Sequence, residues 1–189
     1  TGDNISFNER KFKHRNFIYE INLLKNEKVE IYVKSRTSDS HGFNLSIYEP
    51  AAFVIEEPKL LLIIGLYFGV MIIMFAFHSF IYLLSRDRCL LYYILFVASA
   101  TMFAAVQKGL SNQYIWPNAK EWIDMSDPFF VLTSVAVAYL FTAEILNLRE
   151  RYPKIYKTFI GLAAFSLLSI VLIFFIPETQ ALYLGMVSV

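Results

Sequence analysis

From Leu60 to Leu84 the chain runs 25 residues without a charge, and its most polar members there are His78 and Ser79. About 20 apolar residues cross a bilayer core, so this run predicts a membrane-spanning helix over about 60–84 with length left for tilt. Cys89–Gln107 is uncharged, Phe129–Leu148 holds only Glu144, and Thr158–Ile176 is clean again. These runs predict helices over about 89–108, 129–148 and 158–176. A fifth begins at about 180, after Pro177-Glu178-Thr179, and is still apolar at Val189. With no Met at its start and an apolar run open at its end, the chain reads as a fragment of a longer protein.

Ahead of Pro58 the pattern has a different period. In Phe17-Ile18-Tyr19-Glu20-Ile21-Asn22-Leu23 one face is Phe17, Tyr19, Ile21 and Leu23. Val29, Ile31 and Val33 alternate with polar neighbours, as do Phe43, Leu45 and Ile47. Period two over three runs predicts half-buried antiparallel strands, with polar turns at 25–28 and 35–42 suited to hairpins. Three strands make a thin core, so they read as the last strands of a larger sandwich. The expected organisation is a β-rich extracytoplasmic segment, 1–57, followed by an all-α membrane bundle, 58–189.

Composition supports the division. Of the 33 charged residues, nine Lys/Arg and nine Asp/Glu lie in residues 1–59, and 57% of the whole chain is hydrophobic. That leaves too little polar surface to cover a soluble globule and far too much apolar surface for a disordered chain. A net charge of +1 gives no field to draw nucleic acid. The single cysteine, Cys89, excludes an intrachain disulfide framework and any multi-cysteine metal site.

Basic residues near helix ends set the orientation. Arg86 and Arg88 lie in one turn, and Arg149, Arg151, Lys154 and Lys157 in another. The opposite turns offer only Lys108 and Lys120, beside Glu121, Asp124 and Asp127. Both Arg-rich turns are therefore expected at the cytoplasmic face and the N-terminal segment outside.

Candidate chemistry is sparse. No HExxH, GxSxG, Walker or GxGxxG pattern occurs, and His14, His41 and His78 are too scattered to suggest a metal site. No catalysis, cofactor or metal is expected of this chain. His78 is polar at membrane depth, where such residues face the bundle interior. It reads as a neutral imidazole bonded to a neighbouring helix, or as a gating group. Glu144, near the end of its helix, reads as an interfacial carboxylate within reach of Arg149 and Arg151, with helix coupling as the functional alternative. Gly65 and Gly69 are spaced for close helix contact. Tyr114, Trp116, Trp122 and Asp124 fall in an outer turn, as a membrane-interface belt or a ligand-contacting surface.

In order along the chain come Asn44-Leu45-Ser46-Ile47-Tyr48, Gly65-Leu66-Tyr67-Phe68-Gly69, His78-Ser79-Phe80-Ile81-Tyr82-Leu83 and Ser85-Arg86-Asp87-Arg88. Leu91-Tyr92-Tyr93, Gly109-Leu110, Gln113-Tyr114-Ile115-Trp116-Pro117, Phe141-Thr142 and Leu146-Asn147-Leu148-Arg149 follow. This series resembles the bacterial seven-transmembrane receptors with diverse intracellular signalling modules. The resemblance implies that residues 12–48 are the final strands of a jelly-roll sandwich similar to carbohydrate-binding modules. It also implies an extracytoplasmic ligand, a bacterial inner membrane, an output domain in cis and a homodimer. It supplies no catalytic residues. The alternative is a polytopic transporter or channel subunit, which predicts helices interrupted at the midplane or a buried charge along a pathway.

Overall fold

The computed structural model describes residues 7–23, 27–32 and 45–175, without the side chains of residues 120, 121, 124 and 173–175. Among the described residues, a single 3-10 turn at Phe7–Glu9 is followed by six α-helices: α1 (Pro50–Ser85), α2 (Arg88–Gln107), α3 (Leu110–Tyr114), α4 (Lys120–Ile145), α5 (Leu148–Arg151) and α6 (Pro153–Phe175). Among the described residues, four stretches are long and apolar enough to cross a membrane: Pro50–Ser85, Arg88–Gln107, Met125–Ile145 and Pro153–Leu172.

Local chemistry sets where these helices start and stop. Pro50 opens α1 with a φ already suited to a first turn. Ala51, Ala52, Glu56 and Glu57 are good helix formers, so α1 starts ahead of the apolar run itself. At 36 residues it is about 54 Å long, against about 30 Å of hydrocarbon. Its first turns therefore project beyond the membrane core. At the other end Arg86 turns left-handed (φ 55°), and its N–H donates to the Tyr82 carbonyl at 2.8 Å. The next residue, Asp87, caps α2 by accepting from the Cys89 N–H at 2.9 Å. Left-handed Asn147 (φ 47°) makes the corresponding break between α4 and α5.

α1 packs on α2, α2 on α4 and α4 on α6, with the short helices α3 and α5 in the connections of the last two pairs. The seams use small side chains, as membrane helix contacts do: Ala136, Ala143, Ala163, Ser99, Ser134 and Ser166 are buried. The three serines donate to carbonyls of their own helices, Leu95, Val131 and Leu162, so close approach leaves no hydroxyl unbonded. α1 contributes no buried residue, and its apolar sides are open.

Three features differ from what the pattern suggested. Pro128, one residue ahead of the helix expected over 129–148, lies inside α4, because the polar stretch from Lys120 continues the helix outward. A carbon added at Gly65 or Gly69 would meet nothing within 4 Å, so these glycines mediate no close contact among the described residues. The described parts of the expected strands carry no β pairing, and Phe17, Tyr19, Ile21 and Leu23 are exposed. A strand must share its N–H and C=O groups with a neighbour, and none of the described residues supplies one. Most of the third strand's surroundings, residues 33–44, and the fifth helix from about 180 lie outside the described residues.

Candidate functional site

A polar cluster sits where the N-terminal segment meets the projecting end of α1. Glu57, one residue before Pro58, is held by two side chains adjacent in sequence. Its Oε1 accepts from Arg15 Nη2 at 2.8 Å and from His14 Nε2 at 2.9 Å. The Asn16 N–H donates to His14 Nδ1 at 3.0 Å, so Nδ1 must be the acceptor and Nε2 the donor to the carboxylate. The Arg15 side chain is 3% exposed and Glu57 15%. Such a pair is well shielded from water, and removing one partner strands a buried charge. Arg15 Nη1 and Arg10 Nε are also buried and have no partner among the described residues.

The same segment touches the connection between α2 and α4. Gly109 is left-handed (φ +68°), and a carbon added there would stand 3.0 Å from the Arg15 carbonyl oxygen. Glycine is thus required twice, for its conformation and for the approach of the Arg15 backbone. Further along this connection, the Phe7 N–H donates to the Pro117 carbonyl at 3.2 Å, and Asn8 Nδ2 donates to Asn118 Oδ1 at 2.8 Å. Arg10 stacks over Phe17 at 4.2 Å, and the His14 ring meets Phe53 of α1 edge-on at 5.7 Å. Residues 7–16 therefore bridge α1 to the α2–α4 connection. Away from the bridge, Tyr32 donates to Glu30 at 2.6 Å, and that bond raises the phenol pKa above its ordinary value.

The expected outer residues separate into two groups. Trp116 and Trp122 come together at 6.2 Å, and Trp116 stacks on Phe130 at 6.1 Å with planes 6° apart. Trp122 also meets Phe129 at 5.3 Å, while Trp116 Nε1 donates to Asn112 Oδ1 at 3.2 Å. One face of Trp116 is thus already covered. Tyr114 is apart from them, 72% exposed. The Asp124 side chain lies outside the described residues.

His78 bonds within its own helix, its Nδ1 2.8 Å from the Met74 carbonyl, so Nδ1 carries the proton. The contact with a neighbouring helix is made by the ring, 4.5 Å from Tyr93 of α2. Tyr93 in turn lies 5.7 Å from Phe141 of α4, giving a file of three rings across three helices. Glu144, one turn beyond Phe141, is exposed and forms no salt bridge with Arg149 or Arg151. Arg86 and Arg88 at the α1–α2 turn, and Arg149, Arg151, Lys154 and Lys157 at α5 and the start of α6, are all exposed.

The Glu57 cluster has almost no trace in the sequence. Its only local signal is a pair of carboxylates, Glu56-Glu57, two residues before the charge-free run that starts at Leu60.

A family model described as 7TM diverse intracellular signalling matches residues 60–189. A second, described as 7TMR-DISM extracellular 2, matches residues 1–49. No curated protein and no solved structure matches the chain.

Proposed function

The chain belongs to the seven-transmembrane family with diverse intracellular signalling, and from that premise we propose that it couples an extracytoplasmic ligand to an intracellular output domain. It is a multi-pass membrane protein of a signalling receptor, with an extracellular region ahead of the helices. The ligand is taken by that outer region, whose resemblance to a jelly-roll sandwich makes carbohydrate the favoured class. The helices carry the signal inward and catalyse nothing themselves. The setting is a bacterial inner membrane, and the receptor works as a homodimer, both as the resemblance implies.

The observation that carries this reading is the bridge made by residues 7–16, bonded to Glu57 of α1 and packed on Gly109 and Pro117. A ligand that displaces the outer region changes how α1 is held relative to α2 and α4. It drives signalling only by the difference in its affinity for the two arrangements. Transport has less support: the prolines inside described helices, Pro58 and Pro128, both lie toward the outer ends of α1 and α4. The test is output activity of the intact receptor in membranes. Glu57→Ala should shift basal output or abolish the response to periplasmic extract at normal expression. Wild-type output and response in that variant would contradict the reading.

A further inference from the structure

We infer that the intracellular ends of the helices form a docking surface for anionic phospholipid headgroups. It does not depend on the ligand and needs the orientation set by the extracellular match of residues 1–49. With that segment outside, α1 crosses inward, so the α1–α2 and α4–α6 turns share the intracellular side.

Six cations project there: Arg86, Arg88, Arg149, Arg151, Lys154 and Lys157, all exposed and none in a salt bridge among the described residues. The carboxylates on the same turns are fewer. Asp87 is engaged in capping α2, and Glu150 accepts from Asn147 Nδ2 at 2.8 Å. Glu144 is the third. The surface is thus positive after its own acids are counted.

What lies beside the cations favours a lipid over an aqueous partner. Leu84 is 74% exposed, Leu146 53%, Tyr152 58% and Ile155 46%. Charged heads and bare apolar side chains alternate at the same helix ends, which matches a molecule with a phosphate above and acyl chains below. The arrangement is also fixed. Leu148, 5% exposed, anchors α5 in the bundle, so Arg149 and Arg151 are presented from a short pinned helix and not from a free loop. A cation at an anionic membrane surface gains roughly fivefold in partition, attenuated by salt.

The test uses the intact protein in phosphatidylcholine bilayers doped with spin-labelled lipid. Electron spin resonance reads the fraction of label immobilised at the protein. Spin-labelled phosphatidylglycerol should be enriched severalfold over spin-labelled phosphatidylcholine, with the enrichment falling as salt rises. Combined Arg149→Gln, Arg151→Gln, Lys154→Gln and Lys157→Gln should remove most of the enrichment, with Arg86 and Arg88 sustaining the remainder. Arg149→Lys with Arg151→Lys should keep the full enrichment, as should Lys108→Gln at the outer side. All these side chains are exposed, so folding is preserved and each variant is informative. Equal partition of the two lipids overturns the inference, as when an acidic face of the intracellular domain occupies these cations. So does enrichment that the quadruple substitution leaves undiminished. Loss of enrichment on adding inorganic phosphate, at an ionic strength where chloride leaves it intact, assigns the face to free phosphate and overturns it too.

Discussion

Arg15 and Glu57 form a buried ion pair 2.8 Å long that ties the extracellular segment to the first membrane helix. Two features distinguish it from a surface salt bridge, which contributes little. The Arg15 side chain is almost wholly covered, and the carboxylate also takes a bond from His14. The pair therefore specifies where the segment sits more than it stabilises the fold, because an apolar pair of equal volume would pack as well. Glu57→Ala should cost about 3 kcal/mol, seen as a lower unfolding temperature in nanodiscs. Arg15→Met with Glu57→Leu should recover most of that loss while leaving output uncoupled. Full recovery of both stability and signalling would remove the pair from the mechanism.

Gly109 is predicted to be intolerant of any side chain. An alanine there faces a left-handed backbone and the Arg15 carbonyl at 3.0 Å. The left-handed conformation alone costs about 1–2 kcal/mol, and the contact adds to it. Limited proteolysis should cut the segment near residues 7–16 faster in Gly109→Ala than in wild type, while the membrane helices remain intact.

The His78–Tyr93 contact separates ring packing from hydrogen bonding. The 4.5 Å ring contact is expected to contribute about 1 kcal/mol to the α1–α2 seam. His78→Phe retains it, and His78→Ala does not. Thermal unfolding should therefore rank wild type and His78→Phe together, above His78→Ala. His78→Asn should change signalling without changing expression if the imidazole has a gating role, and an unaltered output would assign it to packing alone.

The turn between α1 and α2 depends on Asp87. Removing its cap bond to the Cys89 N–H, by Asp87→Ala, should destabilise the start of α2 by about 1 kcal/mol. Asp87→Asn or Asp87→Ser should restore most of it, since either can accept the same bond. Hydrogen exchange at Cys89 and Leu90 is the appropriate reading.

The membrane helices were legible because burying a charge in lipid is costly, and that cost is written directly into charge-free runs such as Leu60–Leu84. The same criterion truncates helices that leave the membrane. It omits the first ten residues of α1 and the start of α4 before Met125, which are helical but carry charges. His78 stood out for the converse reason, as a polar group within an apolar run. The cluster at Glu57 had no comparable signature. Arg15, Glu57 and Gly109 are separated by about forty to fifty residues in each step along the chain, and only the packing of the outer segment across two helices brings them together. The period-two runs were legible as a pattern, but a strand is a property of pairs. The described residues hold the apolar faces of Phe17–Leu23 without a partner strand against them.

Residues 7–16 are clamped to the membrane helices through Glu57. Amide hydrogen exchange on the protein in nanodiscs tests it most directly, because the Phe7 N–H is bonded to Pro117 and the Asn16 N–H to His14. The clamp predicts that these amides are protected in wild type, and that Glu57→Ala raises their exchange about tenfold or more while α2 and α4 are unaffected. Equal exchange in the two proteins, or a segment unprotected from the start, would contradict it.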